Sequence, residues 1–249
     1  MKSVLVLTPV KNAAIYLDGY FRRLRELTYP RDRLSVALLE SDSTDSTFEL
    51  VSSLADEHRS AFRDIQVFKH DFGFAPPVHL PRWEPAYQLA RRNVLARARN
   101  QLLFRALGEE DWVLWIDVDV ISYPSNLIEQ LLSYDLDILH PDCVRQPGGP
   151  SFDLNAWTDG GKRLMQDLRG AGRPVRIESV GGTVLLVRAD LHRDGLVFPP
   201  FRYGLESAFV RSEHPIWQKG EIETEGLAVM AHDMGAQCWG LPDLEVVHA

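Results

Sequence analysis

The sequence is poor in cysteine, in net positive charge and in long apolar runs, and each shortage excludes a class of protein. Only Cys143 and Cys238 occur in 249 residues, too few for a disulfide framework and in keeping with a reducing compartment. Acidic residues outnumber basic ones by 35 to 27, so general binding of nucleic acid or of anionic membranes is not expected. No stretch reaches the ~18 apolar residues of a membrane-spanning helix, and the run in "MKSVLVLTPV" is too short for a secretory signal.

What the chain does contain is a regular alternation of buried-strand and helix patterns, with 45% hydrophobic residues to form a core. We predict strands at 3–9, 33–40, 64–70, 112–117, 135–141 and 177–190. We predict helices at 13–27, from about 47, at 87–107, 124–133 and 223–236. Pro124 is expected to open one helix, and Ser43 or Asp45 to cap another. Without repeats or a linker, this predicts one α/β domain, a single Rossmann-like, mostly parallel sheet flanked by helices.

Two carboxylates one residue apart, Asp117 and Asp119, follow the fourth predicted strand in "DWVLWIDVDVISYP". Open α/β sheets bind ligands beyond the carboxyl ends of their strands, and alternate residues of an extended segment point the same way. Mn²⁺ or Mg²⁺ commonly takes one or two carboxylates together with substrate phosphate oxygens. The pair therefore predicts a divalent cation site, although two solvated loop acids are the plain alternative.

Polar residues after the first two predicted strands lie at the same edge. The segment "LTPVKN" contains Thr8, Pro9 and Asn12, and "ESDSTD" contains Ser41 and Asp42. We expect these residues to offer backbone and side-chain groups to a nucleotide. Asp42 is the candidate for ribose hydroxyls, by the logic that places an acid there in dinucleotide-binding folds.

Basic and glycine residues near this edge are further candidates. Arg92 and Arg99 lie seven residues apart on the long predicted helix and so share a side of it. Arg99 is expected to contact the nucleotide or the acidic groups of the site. Gly181 and Gly182, in "VGGTVLLV", either let a ligand approach the backbone closely or form a bulge.

The acids of "ETEG", Glu223 and Glu225, have two interpretations. Acids at the start of a helix favourably meet its dipole, which is a structural role. As catalytic candidates, one of them would bind acceptor hydroxyls, stabilise a positively charged sugar centre, or act as the general base of an inverting enzyme. His214, His232 and Asp233 receive no role. Phe74 and Trp83 would stack on sugar faces or merely cover the sheet edge.

Two enzyme classes place Asp-x-Asp after an apolar strand. "DVDVI" resembles the signature of haloacid-dehalogenase-type phosphatases, in which the first Asp is a nucleophile. That signature normally follows the first strand of the fold and requires a later acidic pair, which this chain lacks. The second class, nucleotide-sugar glycosyltransferases of the GT-A fold, agrees with the position of the motif after three strand–helix units.

Six sequence segments narrow the resemblance from the GT-A class to one family. They are "YPRDRLSVALLESDSTDST", "RARNQLLFRALGEEDWVLWIDVDVISYP", "FDLNAW", "VGGTVLLVRADLHRDGLVFPPF", "ETEGLAVMAHDMG" and "GLPDLEVVH". As an ordered set covering most of the chain, they resemble the Anp1/Van1/Mnn9 family of fungal mannan polymerase subunits, which are retaining, GDP-mannose-dependent α-mannosyltransferases.

The resemblance implies a single GT-A domain over residues 1–249. About 1–120 would bind the nucleotide sugar and about 121–249 the acceptor. It implies transfer of mannose, or a related hexose, from a GDP-sugar to a glycan such as a mannoside, with retention and an α-linkage. Asp117, Asp119 and His248 become the ligands of Mn²⁺ (or Mg²⁺). A homo- or hetero-oligomer is compatible with it.

The chain also departs from the fungal pattern. It looks shorter between Trp157 and Ile177 and longer between Phe201 and Glu223, where the acceptor side is expected. No membrane segment precedes the first strand, so we expect a cytoplasmic prokaryotic relative, or a Golgi-lumenal protein if the chain is a trimmed fungal-type one. An inverting transferase using another nucleotide sugar and a non-catalytic glycan-binding subunit remain the alternatives.

Overall fold

A nine-stranded sheet runs through the computed structural model, which describes residues 1–75 and 84–249. Its strands are β1 Val4–Val10, β2 Leu34–Glu40, β3 Asp64–Lys69, β4 Trp112–Ile116, β5 Val120–Ser122, β6 Ile138–Val144, β9 Val175–Arg176, β10 Val184–Arg188 and β11 Cys238–His248. A separate hairpin pairs β7 Trp157–Thr158 with β8 Arg163–Leu164. The α-helices are α1 Ala14–Glu26, α2 Thr47–His58, α3 Pro85–Ala106, α4 Leu127–Ser133, α5 Ala189–Arg193 and α6 Glu223–Asp233.

The strand order is β3-β2-β1-β4-β10-β6-β11-β5, with β9 paired to β11. Strands β1 to β4 are mutually parallel where they pair, as the alternation of strands and helices predicts. The antiparallel strand β10 lies between β4 and β6, and β6 then pairs in parallel with β11. Strands from both predicted halves of the chain therefore share one continuous sheet.

Helices cover both faces of this sheet, which explains why β2, β4 and β6 are buried at every residue rather than at alternate ones. On one face, α1, α2 and α4 contribute side chains such as Leu17, Val51 and Leu131 to a buried cluster. On the other face, α3 and α6 contribute side chains such as Leu102 and Leu227. All five residues of β4 are buried, because this strand lies between β1 and β10.

The element boundaries differ from the predictions mainly in the second half of the chain. The fourth helix begins at Leu127, not at Pro124, which lies in the preceding turn and accepts a hydrogen bond from the Leu127 N–H. The predicted strand 177–190 is ordered as a strand only at β10, and α5 follows it directly. The longest strand, β11, was not predicted, because Gly240 and Pro242 interrupt its pattern and its register shifts between Leu241 and Glu245.

Asp45 rather than Ser43 meets the start of α2. Its Oδ1 accepts the backbone N–H of Thr47 at 3.1 Å, although Ser46 is the N-cap residue. Ser43 instead accepts the backbone N–H of Asn12 and so ties the loops after β1 and β2 together. Within the described ranges, no helix combines the length and apolarity needed to cross a membrane.

Candidate active site

A cleft opens at the carboxyl ends of the parallel strands β1, β2 and β4, with an accessible volume of about 430 Å³. Phe74, proposed from sequence to stack on a sugar, lines it together with six residues proposed for the nucleotide or the cation: Pro9, Asn12, Ser41, Arg99, Asp117 and Asp119. They meet there because β1 lies between β2 and β4, so the loops that follow the three strands are neighbours. The cleft is thus where an open α/β sheet places a ligand.

Asp119 and His248 form one side of the Asp-x-Asp motif. The Nε2 of His248 lies 3.2 Å from Oδ1 of Asp119, and the imidazole stacks on the ring of Phe152, with the ring centroids 3.9 Å apart. Burial lowers the pKa of His248, but the hydrogen bond and the charge of Asp119 outweigh it and raise that pKa. His248 is held at the end of β11, which pairs there with Val120 of β5. His248 thus lies beside Asp119, while their predicted role as joint ligands of a cation stays a prediction.

Asp117 joins a second set of charges. Arg99 of α3 donates from Nη2 to Oδ1 of Asp117 at 3.3 Å and from Nε to Oε1 of Glu223 at 2.9 Å. Burial is the main reason that the pKa of Asp117 is raised to about 7; Arg99 opposes the shift and the charge of Asp119 contributes to it. The Asp117 side chain keeps 31% exposure, whereas Arg99 and Glu223 are buried. Arg99 therefore contacts both Asp117 and Glu223 from the buried side of the site, and it also lines the cleft.

Thr8 and Asp42, both proposed from sequence to contact the nucleotide, form hydrogen bonds within the protein itself. Thr8 is fully buried, and its hydroxyl is shared between Tyr20 and the carbonyl of Ile116, both at 2.7 Å. The hydroxyl thus has its partners inside the protein, and a contact of Thr8 with the nucleotide stays a prediction. The carboxylate of Asp42 accepts the backbone N–H groups of Phe72 and Gly73, at 3.1 and 2.9 Å. Asp42 thus shapes the loop after β3, and its contact with ribose stays a prediction.

The glycine pair makes room for side chains of this chain itself. A Cβ atom on Gly181 would lie 1.9 Å from Oδ2 of Asp153, and one on Gly182 would lie 2.4 Å from Nη2 of Arg99. Neither glycine is among the described residues with positive φ. The expected close approach therefore exists, but the Asp153 carboxylate and the Arg99 guanidinium make it. Whether a ligand also meets these residues stays a prediction.

Glu225 lies in a buried network with the segment 201–222, hereafter the strap. Its carboxylate is 2% exposed and accepts from Arg92, from Nη2 of Arg211 at 2.5 Å and from Nε1 of Trp157 at 3.0 Å. Arg211 also forms a bidentate pair with Glu221 at 2.6 and 3.1 Å. Burial and the charge of Glu225 raise the pKa of Glu221.

His214 of the strap adds a third potential metal ligand to Glu221 and Glu225, and their ligand atoms lie within 4.8 Å of one another. The ring nevertheless has the wrong tautomer for metal binding. Its Nδ1 accepts the backbone N–H groups of Ile216 and Trp217, at 3.0 and 3.3 Å, so the proton of the neutral ring sits on Nε2. With two arginines already neutralising the glutamates, this cluster is an internal charge network.

The cleft lining also contains Phe74, a sugar-stacking candidate from sequence, and Lys11 and Tyr87, which received no role from sequence. The rings of Phe74 and Tyr87 stack with their centroids 5.5 Å apart and an angle of 11°, and Lys11 donates from Nζ to the Phe74 carbonyl at 2.6 Å. Lys11 and Arg91 bring positive charge to the lining. The only signal for Lys11 was its place in "LTPVKN". Trp83, proposed with Phe74 as a sugar-stacking residue, lies outside the described residues.

Solved glycosyltransferases of the GT-A class have the same fold. The mannosyltransferase PcManGT from Pyrobaculum calidifontis, solved with GDP-Man and Mn²⁺, aligns at a TM-score of 0.60 with 20% identity over 100% of this chain and 57% of its own. GalNAc-T7, solved with UDP, GalNAc and Mn²⁺, aligns at 0.61 with 15% identity over 100% and 44%. At these identities the likeness shows the fold alone.

Curated relatives carry mannan polymerase names. The mannan polymerase II complex anp1 subunit of Schizosaccharomyces pombe is 28% identical over 99% of this chain, which spans 64% of that protein's length. The mannan polymerase complex subunit mnn9 of the same yeast is 28% identical over 99% of this chain and 80% of its own length. The Anp1 family model matches residues 1–169 and 162–202. The chain therefore belongs to the Anp1 family.

Proposed function

We propose that this protein is a Mn²⁺-dependent glycosyltransferase that transfers mannose from GDP-mannose to a mannoside glycan, with retention and an α-linkage. The observation that carries the proposal is the position of Asp117 and Asp119 in the cleft formed by the loops after β1, β2 and β4, with His248 beside Asp119. Family membership and the mannosyltransferase among the proteins of the same fold support this choice of reaction.

The donor atoms at the motif fit a divalent cation of the Mn²⁺ type, which accepts carboxylate oxygen and imidazole nitrogen. The Nδ1 of His248 lies 2.8 Å from the carbonyl oxygen of Ala249, and only a protonated nitrogen can donate to a carbonyl. Its Nε2, 3.2 Å from Oδ1 of Asp119, is the nitrogen that would bind a cation after giving up the proton that it shares with Asp119. When bound, the ion would stabilise the negative charge that develops on the leaving diphosphate.

The remaining lining suits a nucleotide. The stacked Phe74 and Tyr87 offer a flat aromatic surface, and Lys11 and Arg91 offer positive charge to a diphosphate. The guanine preference rests on the family and on the PcManGT structure.

Retention is supported by the state of the two "ETEG" acids. An inverting transferase needs a carboxylate free to take the proton of the acceptor hydroxyl. Glu223 is buried against Arg99, and Glu225 is buried against Arg92 and Arg211. Neither is placed as a free base. In a retaining transfer, by contrast, the leaving phosphate can take that proton.

Nucleotide binding can be tested by thermal shift. Mn²⁺ with GDP is expected to raise the Tm more than Mn²⁺ with UDP, because a ligand that binds only the folded state stabilises it by mass action. Equal shifts would reject the guanine assignment. NMR analysis of the anomer formed from GDP-mannose and a methyl mannoside would separate retention from inversion.

The role of the motif can be tested with Asp119→Asn. This variant is expected to lose transfer and the Mn²⁺-dependent part of GDP binding while keeping the Tm of the ligand-free protein close to that of the wild type. Asp18→Asn, at an exposed position of α1, is the matched control and should retain both. Mn²⁺-dependent turnover by Asp119→Asn would contradict the proposal.

A further inference from the structure

Asp153 is a buried carboxylate that none of the roles above uses. It lies in the loop after β6, and its Oδ1 accepts the backbone N–H of Asn155 at 3.2 Å. Its Oδ2 accepts three bonds from one short segment: the N–H of Gly182 at 3.0 Å, the N–H of Thr183 at 3.2 Å and the hydroxyl of Thr183 at 2.6 Å. Such charge-assisted bonds are roughly twice as strong as neutral ones.

The other side of that segment faces the candidate active site. The carbonyl of Gly182 accepts from Nη2 of Arg99 at 3.2 Å, and the carbonyl of Thr183 accepts the backbone N–H of Asp117 at 2.9 Å. Residues 182 and 183 therefore direct their N–H groups to Asp153 and their carbonyls to the site. Hydrogen bonds through residues 182 and 183 thus connect the Asp153 carboxylate to Arg99 and Asp117.

We propose that Asp153 is the positioning residue of the metal-binding motif: it holds residues 182–183 so that Asp117 and Arg99 stay in register at the cleft. This arrangement requires glycine at position 181, since any side chain there would occupy the place of the Asp153 carboxylate. The inference deepens the proposed function and rests on it only for the identity of the bound ion.

The surroundings of Asp153 keep it ionised. Burial raises its pKa, but His140, with Nε2 3.7 Å from Oδ2, and the hydroxyl of Thr183 outweigh burial and hold the pKa below its usual range. His140 is itself fully buried, and within residues 1–75 and 84–249 neither of its ring nitrogens has a hydrogen-bond partner.

The test compares Asp153→Asn with a matched control, Asp142→Asn. Asp142 is also fully buried, lies on β6, and accepts from Ser151 and Arg169, so its loss disturbs the same region without touching residues 182–183. In Asp153→Asn, the new side-chain amide has only one acceptor oxygen to meet the donors that the carboxylate satisfies. We expect Asp153→Asn to weaken Mn²⁺ binding in the presence of GDP about 10- to 100-fold, as is typical for groups that support metal ligands, and Asp142→Asn to change it less than about threefold.

A ligand-free readout keeps the inference separate from the proposed function. Amide hydrogen exchange at Asp117, Gly182 and Thr183 is expected to accelerate in Asp153→Asn and not in Asp142→Asn. If the wild type fails to bind Mn²⁺ and GDP, the proposed function falls, and exchange alone then decides the role of Asp153. Equal exchange at these amides in both variants, or unchanged Mn²⁺ affinity in Asp153→Asn beside a binding wild type, would overturn it.

A milder pair of variants covers the case in which Asp153→Asn does not fold. Thr183→Val removes the 2.6 Å hydroxyl bond, whereas Thr183→Ser keeps it. We expect weaker Mn²⁺ affinity and faster Asp117 exchange in Thr183→Val, with wild-type values restored in Thr183→Ser. Identical behaviour of the two variants would contradict the inference.

Discussion

Three histidines of this protein illustrate how a single hydrogen bond decides what an imidazole can do. The Nδ1 of His248 donates to the backbone oxygen of Ala249, which directs Nε2 toward Asp119. The Nδ1 of His214 accepts from backbone N–H groups, which leaves the proton on Nε2 between two glutamates. His192 lies in the core, where its Nδ1 meets the carbonyl of Leu196 at 2.7 Å. Sequence alone cannot separate these cases, because the tautomer is set by the partner of the other nitrogen.

His192 should make the stability of the protein sensitive to pH. Burial lowers its pKa to about 4 against 6.5 for an exposed histidine, although the bond to Leu196 opposes the shift. Between pH 6.5 and 4, His192 binds a proton in the unfolded chain but stays neutral in the folded protein. Up to about 3 kcal/mol of the free energy of unfolding is therefore lost as the pH falls through this interval. His192→Gln should lose correspondingly less over this interval in urea denaturation. Parallel pH profiles for the two proteins would refute this assignment.

At the scale of elements, the strap is a segment without helix or strand that is held in place by contacts of its buried side chains. All of its residues are described, and they form no helix or strand, only a bridge that joins Tyr203 to Glu221 by two backbone hydrogen bonds. Arg211 packs over the ring of Trp157, 4.8 Å from its centroid, while its guanidinium meets the acids of the buried network. The charge network around Glu225 therefore anchors the strap to α6.

Removing that anchor should release the strap. Arg211→Ala leaves Glu221 and Glu225 buried without this partner, a loss that typically costs about 3–5 kcal/mol. We expect a lower free energy of unfolding and faster proteolytic cleavage within residues 201–222. Arg202→Ala, at an exposed position of the same segment, should change stability by less than about 0.5 kcal/mol. Equal cleavage rates in the two variants would show that Arg211 does not hold the strap.

At the scale of the whole molecule, β10 joins the two halves of the chain. It pairs with β4 over five residues, Leu186 opposite Leu114 at the centre, and on its other side it pairs with β6. Without β10, the apolar β4 would become an unprotected sheet edge. The halves at about 1–120 and 121–249 thus describe which ligand each part is expected to bind, while the sheet is common to both.

Unfolding of the protein should therefore be one cooperative event. Far-UV circular dichroism follows the sheet and helices, while tryptophan fluorescence reports on Trp83, Trp112 and Trp115 in the first half and on Trp157, Trp217 and Trp239 in the second. We expect the two signals to give coincident urea transitions, as two-state unfolding requires. Two separated transitions would mean that the halves are independent folding units.

The sequence by itself determined the α/β class, the first three strand–helix units and the Asp-x-Asp motif at a strand end. These features follow from local periodicity and from residues only a few positions apart. Arg92 and Arg99 could likewise be placed on one side of α3, and the structure gives each of them a glutamate of α6 as its partner.

The tertiary structure alone decided what those residues meet. The antiparallel insertion of β10 and the shifted register of β11 are pairings between distant segments, which no local pattern encodes. The same pairings bring His248 to Asp119 and Asp153 to the glycine segment, and they bury Thr8. The sequence states the chemistry of each side chain. Its hydrogen-bond partner and its access to solvent depend on residues far away along the chain, which come together only on folding.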